Sequence, residues 1–452
     1  MTFKNVILPL QDESKQWDIQ IEDGKISSMK PSTNASPNPS ILLPSLCHPH
    51  IHLDKPYLLT CNCSSSELHP DYSDLVPKAG SFAEALSNTA EAKKRYTPED
   101  LYLRGSQLLA TSYLQGVSSL RGFVEIDHVT KLQTLKTAVE LRKEFEGFVD
   151  LQICAFAQDP IFSTENGEEN RETLTQALGE LHSEIHVLGT TPYVEENKEM
   201  SMKNIRWAIQ MALKYVLHLD FHIEFNLDQE GDVMEYFNYI IDQLIANDWP
   251  THSGAQTIVL GHATRLSLAS HEQLSELSCR IRETQLPIYF VGLPTSDVFM
   301  MGRPTSDRVD EQSRPLDRRC GTLNVPKMIQ EYGLNACLSV NNVGNAFTPY
   351  GTGDPLKVAS WGVGLFHAGR IEDAKLLYEA VSTRAEKAIG LEGNSYVEEG
   401  KPLLPRLLLK NEENMEIQSL EGRTMQIPAR PRLSIKDIVW DPPETKLRRI
   451  IR

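Results

Sequence analysis

The chain has 452 residues, 40% of them hydrophobic, enough for one large domain with a smaller companion and an ordinary buried core. Sixty-one acidic residues against 45 basic give a formal charge of −16, with no lysine- or arginine-dense block to neutralise a run of phosphates, which argues against nucleic acid as a partner. The first residues mix charge with apolar positions, unlike a signal peptide, and no apolar run reaches membrane-spanning length, so a cytoplasmic protein without a membrane partner is expected.

In chain order, residues 1–42 read as a hairpin, "NVILPL" and "WDIQIEDGKISSMK" with a turn at Asp23-Gly24, followed by the polar loop "PSTNASPNPS". Short β-prone runs then alternate with amphipathic segments. The strand candidates are "ILLPSLCHPHIHL", "VSSLRGFVEI", "FVDLQICAFA", "EIHVLGTTPY", "YVLHLDFHIEF", "QTIVLGHA", "LPIYFVGLP" and "LNACLSVNN". Helix candidates separate them, as in "TPEDLYLRGSQLLATSYLQG", where Thr97 can cap and Pro98 takes the first helical position. The loop over residues 61–94 is long enough to cover the mouth of such a fold, and equally suits a passive surface excursion. Its Cys61 and Cys63 form a C-x-C with no second pair to complete a metal site, and the odd total of seven cysteines reads as reduced thiols. From residue 395 the tail holds "RLLLKN", "MEIQSL" and "RLSIKDIVW", read as further short strands. Eight strand–helix units predict an α/β fold, a (β/α)8 TIM-type barrel over residues 43–394. A small β-sandwich built from both termini, residues 1–42 and 395–452, is expected beside it.

Chemistry in such a barrel sits where strands end, so polar residues closing apolar runs are the candidates. The first strand closes with His50-Ile51-His52, and residues two apart on a strand share a face, so both imidazoles can reach one metal ion. His48 has the same parity but lies deeper, as a supporting residue. Strand five ends at His222, with His218 earlier on the same parity; strand six ends at His262, and strand eight runs into Asn341 and Asn342. An isolated H-x-H is more often a pair of buried histidines than a ligand pair. Histidines recurring at three strand ends reverse that balance.

The order of these motifs resembles the amidohydrolase superfamily, and the stretches "PHIHLDK", "AFAQ" and "LNACLSVNNVGNAFTPYGTGDPL" are similar to its cytosine-deaminase-like branch of metal-dependent hydrolases and deaminases. The resemblance covers most of the chain, since the family too builds a β-sandwich from both termini. It implies one divalent ion, zinc in preference to iron, bound by His50, His52 and His222, with Asn341 at the place of a further aspartate ligand. It also implies that His262 assists the attacking water and that Gln158 contacts a small-molecule substrate. Symmetric homo-oligomers are implied in the same way. A binuclear site would need a lysine at the end of strand four; that strand closes with "GTTPYVEEN", and Lys198 lies well beyond it, so a single ion is expected.

Two departures stand out. The family's H-x-x-E on strand five lands here on Phe225, and its strand-eight aspartate reads Asn341. An asparagine can offer a carbonyl oxygen but cannot titrate, so metal binding survives while proton transfer needs another carrier. Glu224, one residue short of the expected place, would need a bulge to turn inward, and His262 could itself act as base. Asp228, Asp297 and Asp354 follow strand ends and read as helix caps or surface charges before catalytic groups. Asp54 and Lys55 either orient the ligand histidines or pair with each other. Arg303, in "MMGRP", suits either an anionic substrate or a structural ion pair. The expected function is hydrolysis of a C–N bond, of deaminase or cyclic-amidase type, in a small polar ring. The catalytic set would be His262, Asn341 and Glu224, and the substrate set Gln158, Phe225 and Arg303. The alternatives are an inactive amidohydrolase-like binding subunit and a metal-assisted lyase or isomerase.

Overall fold

The computed structural model describes residues 1–60, 69–227, 231–301 and 321–452. Eight parallel strands follow one another around a barrel in chain order: β5 (Leu46–His52), β6 (Val117–Glu125), β7 (Asp150–Ala157), β8 (Val187–Thr190), β9 (His218–Ile223), β10 (Ile258–His262), β11 (Ile288–Gly292) and β12 (Ala336–Leu338). The ring closes where the His52 amide donates to the Asn341 carbonyl at 2.8 Å and the Asn341 amide to the His50 carbonyl at 3.2 Å. Those contacts lie just past the last strand, so the closure itself brings Asn341 beside the H-x-H pair. Every residue of β6 is buried, as expected of a strand covered on both faces.

Helices Pro98–Gln115, Gln133–Glu144, Gly167–Glu180, Lys198–Tyr215, Glu235–Ala246 and His271–Thr284 lie between successive strands. The first begins as its sequence predicts: the Thr97 hydroxyl accepts from the Asp100 amide at 3.1 Å, with Pro98 in the first turn. Gly116 then ends it at a φ of 99°, a conformation open to glycine without strain.

Both chain ends meet in one six-stranded sheet. Its strands are β1 (Thr2–Leu8), β2 (Asp12–Glu22), β3 (Lys25–Pro31), β4 (Ser40–Pro44), β13 (Arg406–Leu409) and β16 (Arg448–Ile451), in the order β16-β13-β4-β1-β2-β3. Val6, Ile19, Ile21, Ile26, Leu42 and Leu408 form its own apolar core. Asp23 and Gly24 turn β2 into β3 with φ of 50° and 71°, the left-handed pair of a type I′ turn. The run 41–53 therefore serves two sheets. Pro44, which has no N–H to donate, ends the first ladder, and β5 enters the barrel from Leu46.

The tail differs from its strand reading. Residues 435–440 of "RLSIKDIVW" are a helix, Ile435–Trp440, because Ser434 and Asp437 form a reciprocal capping box. Two further strands, β14 (Asn414–Gln418) and β15 (Thr424–Pro428), pair only with each other. Asp354 caps helix Pro355–Leu365 and also makes a bidentate ion pair with the buried Arg448 at 2.8 Å, which ties the tail to the barrel. Cys47, Cys154, Cys279 and Cys337 are free thiols, and Cys61 and Cys63 lie outside the described residues. Among the described residues no helix is long and apolar enough to cross a membrane.

Candidate active site

Four imidazoles converge where β5, β9 and β10 end. His50 and His222 approach with their Nε2 atoms 3.0 Å apart, and His222 Nε2 lies 3.4 Å from His52 Nε2. His262 completes the group: one ring nitrogen each from His50, His222 and His262 lie within 4.8 Å of one another. Gly261 makes room for this approach, since a Cβ there would lie 2.7 Å from His50 Cε1. Burial holds three of the rings neutral, pushing His50 and His222 well below the ordinary histidine range and His52 down to about 4. Neutral imidazole is the form a metal needs.

Two nitrogens bound to one tetrahedral zinc at ~2.0–2.1 Å sit roughly 3.3–3.4 Å apart. The observed 3.4 Å matches that spacing and the 3.0 Å lies a few tenths below it, whereas neutral rings facing each other nitrogen to nitrogen can share only one hydrogen per contact. The Asn341 Oδ1 atom is buried without a hydrogen-bond partner. The residues present fit a single divalent ion.

Three of the rings back onto carboxylates. His50 Nδ1 lies 3.7 Å from Asp220, His52 Nδ1 3.8 Å from Asp54, and His262 Nδ1 3.0 Å from Asp297. The first two distances exceed a hydrogen bond, yet a nearby negative charge still favours the proton on Nδ1 and leaves the Nε2 lone pair for the centre. Burial pushes the Asp220 carboxyl up to about 7 against the pull of Arg121, whose Nη1 lies 3.2 Å away. Asp297 is fully buried and raised by that burial; it also accepts from the Thr322 hydroxyl at 2.7 Å. Its reading as a cap or surface charge is thereby replaced. The aspartate lies in helix Pro294–Met300, which follows β11, and faces His262 from there.

Other candidates fall on either side of the pocket wall. Glu224 takes a left-handed φ of 49°, and its carboxylate pairs with the buried Arg265 at 2.6 Å. It is absent from the pocket lining, and the inward turn that a catalytic role requires does not form. Phe225 instead enters the pocket, edge-on to His262 with ring centroids 4.8 Å apart and stacked on Tyr193 at 6.2 Å. Phe82, Phe347 and Met300 complete an apolar wall around a tight cavity of about 10 Å³. Gln158, Asn342, Ser296 and Asn341 supply its neutral polar groups. Asn341, at a φ of 62°, donates to the Ser296 hydroxyl at 3.1 Å, with its amide nitrogen 3.4 Å from His262 Nε2.

Of the long loop, helix Phe82–Lys93 carries Phe82 into the pocket. His48, on β5, is fully buried. Arg303 and Asp228 lie outside the described residues. Asp54 and Lys55 do not pair: Asp54 accepts from the Glu125 amide at 3.0 Å, while Lys55, fully buried, makes a close contact with the Glu125 carboxylate. Lys93 joins the same carboxylate at 3.0 Å and reaches Asp127 and Asp159, a charge-paired floor beside the ligand strands. The sequence reading weighs Asp297 but favours a cap or surface charge for it, and Tyr193, Phe82 and Phe347 escape that reading. The aspartate had a signal, a charge following an apolar strand end; the aromatic residues had none, because they come from segments far apart in sequence.

No protein-family model matches the chain. A curated relative, N-isopropylammelide isopropyl amidohydrolase from Pseudomonas sp. (strain ADP), is 22% identical over 394 residues, covering 85% of this chain and 83% of the relative. The solved structure of 5-methylcytosine deaminase from Klebsiella pneumoniae, liganded with 5-fluorocytosine, matches with a TM-score of 0.73 and 20% identity over 91% of each chain. N-isopropylammelide isopropylaminohydrolase from Burkholderia multivorans matches with a TM-score of 0.69 and 19% identity, over 100% of this chain and 96% of that one. The two structures share the fold. Over most of its length the chain is thus similar to proteins named as amidohydrolases and deaminases, and it shares the barrel fold of their solved structures.

Proposed function

We propose that this enzyme hydrolyses the bond between a ring carbon and its nitrogen in a small, neutral heterocycle, as a deaminase or cyclic amidase. The observation that carries the reading is the His262–Asp297 pair beside three converging imidazoles, at the edge of a pocket whose described walls carry no charged side chain. The relatives' names support it, since each describes loss of nitrogen from a small nitrogen-containing ring. Nothing in those comparisons favours a non-catalytic binding subunit.

His50, His52 and His222 would hold one divalent ion, zinc in preference to iron, which when bound supplies Lewis acidity that makes water a nucleophile near neutral pH. His262 takes the proton of the attacking water on Nε2 and returns it to the departing nitrogen. Asp297 keeps the His262 proton on Nδ1 and stabilises the imidazolium that forms in between. The pair thus does the work that Phe225 and Asn341 cannot. Asn341, held by Ser296, orients rather than titrates. Gln158 reads an amide edge of the ring. Phe225, Tyr193 and Phe82 wall the reacting centre with apolar surface and exclude water from it.

The test is steady-state amine or ammonia release by the zinc-loaded protein from N-alkylated and unsubstituted aminopyrimidines, hydroxytriazines and cyclic amides, with metal content measured in parallel. Turnover with one solvent oxygen entering the product supports hydrolysis. Turnover without that oxygen favours the lyase or isomerase reading, and absence of both metal and turnover overturns the proposal.

A further inference from the structure

A buried ion cluster joins the elements that carry several residues of the pocket wall. Lys93 Nζ lies 3.0 Å from Glu125, 2.6 Å from Asp127 and 2.7 Å from Asp159, with 2% of its side chain exposed. Against the pull of burial, Asp127 and Asp159 hold this ammonium above the ordinary lysine range, so it stays charged. Lys93 is the last residue of helix Phe82–Lys93, whose first residue stands in the wall. Asp159 directly follows Gln158, another lining residue, just past the end of β7. Glu125 closes β6 and also meets Lys55, whose ammonium lies 5.4 Å from the centroid of the lining Phe347 ring. A buried ion cluster contributes little net stability over apolar packing of the same volume, and its best-attested use is to fix one arrangement of the elements that bear it.

We propose that Lys93 is a positioning residue, which holds Phe82 and Gln158 in fixed relation across the pocket through its tie to Asp159. This rests on the reading of the pocket as the substrate site. At its other end the helix meets the wall through apolar contacts, with Phe82 5.3 Å from Phe225, 5.8 Å from Tyr193 and 6.0 Å from Phe347 between ring centroids. Glu84 turns back on its own segment and accepts from the amides of Lys78, Ala79 and Gly80. Apolar contact has no preferred direction, so the course of the helix is set at Lys93. Eleven rises of ~1.5 Å put Phe82 roughly 16 Å from Lys93 along the axis, and a tilt of about 5° there displaces it by ~1.4 Å. In a cavity of about 10 Å³, a displacement of ~1 Å is enough to cost up to about 10²-fold. Asp127 makes the instructive contrast. It accepts from the amides of Val129 and Thr130 at 2.8 Å in the turn after β6, so its charge serves the same lysine without adjoining a lining residue.

The experiment pairs steady-state kinetics of the zinc-loaded full-length protein, on the ring substrate the wild type turns over fastest, with hydrogen–deuterium exchange of the same proteins without substrate. Asp159→Asn is expected to raise KM about tenfold with kcat within about threefold and bound metal unchanged. It should also speed exchange at residues 82–93 and 158–163 by about threefold or more, while β9 and β10 keep their protection. Asp127→Asn removes a charge from the same lysine, yet is expected to leave KM and the exchange of 158–163 within about twofold even where it lowers the melting temperature. Lys93→Met should reproduce the Asp159→Asn effects, and if it fails to fold the two aspartate variants carry the test. Equal effects of Asp127→Asn and Asp159→Asn on KM and exchange would make the role of Lys93 purely structural and overturn the proposal, as would an Asp159→Asn protein unchanged in both. A wild type without turnover on any ring overturns the proposed function instead, and the exchange comparison still decides the tie.

Discussion

Replacing Asp297 with asparagine tests the proton relay with the least disturbance to the fold. The amide is isosteric: its oxygen can still accept from His262 Nδ1 at 3.0 Å, and its nitrogen can face the Thr322 hydroxyl 2.7 Å away. The stability cost should therefore stay near 1 kcal/mol, that of one exchanged hydrogen bond. What disappears is the negative charge facing the imidazolium that His262 becomes during the reaction. At 3.0 Å and an effective dielectric of about 20, that attraction is roughly 5 kcal/mol before solvation losses. A net barrier increase of about 3–5 kcal/mol follows, a fall in kcat of roughly 10²–10⁴. The assay is steady-state amine release on the best ring substrate, with KM and bound metal measured on the same preparation. A kcat within a few-fold of wild type would refute the relay, and a loss of activity that tracks loss of metal would assign Asp297 to the metal site instead.

Phe225→Glu places a carboxylate beside His262 in the otherwise apolar wall. It should shift selectivity at least tenfold towards unsubstituted amines over N-alkylated ones, at a folding cost of ~2–3 kcal/mol for burying a charge among aromatic rings; an unchanged kcat/KM ratio between the two substrate kinds counts against the pocket assignment. His52→Ala should lose bound metal, while His262→Ala should keep it and lose turnover by about 10²–10⁴; metal analysis of both separates the assigned ligands from the alternative trio of His50, His222 and His262. For pH, His218 is informative because it stands at the start of β9, at the opposite end of the barrel from the pocket, and accepts from the Thr257 amide at 2.9 Å. Burial, helped by Arg121, pushes it down to about 3. Below its ordinary value of about 6.5 the unfolded chain takes up a proton that the folded chain refuses, so stability is full above that pH and falls as pH drops, by up to ~1.4 kcal/mol per unit for this one group. Urea midpoints between pH 7 and pH 4 should show that slope, shallower in His218→Gln.

The barrel and its histidines were legible because both are local properties. Apolar runs of strand length, separated by capped helices, determine the strand–helix repeat, and period-two alternation determines that His50 and His52 share a face. Position at a strand end then determines that His222 and His262 come near them, since every parallel strand delivers its last residue to the same rim. Local signals failed where a partner lies far away in sequence. Glu224 and Phe225 are neighbours on the chain, yet one turns to Arg265, 41 residues on, and the other enters the pocket; only the left-handed backbone at Glu224 and the position of Arg265 separate them. The helix at 435–440 shows the opposite case, a local capping signal in Ser434 and Asp437 that outweighs the β-prone look of its residues.

By itself, then, the sequence determined a parallel barrel flanked by paired chain ends, and a histidine-rich rim capable of holding a metal, because periodicity and strand-end position need no knowledge of distant contacts. Tertiary structure alone decided which carboxylate faces His262 and which side chains wall the pocket. Asp297 reaches His262 across 35 residues of chain, and the aromatic wall gathers Phe82, Tyr193, Phe225 and Phe347 from four segments far apart in sequence. Each of those residues is an ordinary cap or core aromatic until the closing of the barrel sets them around one space.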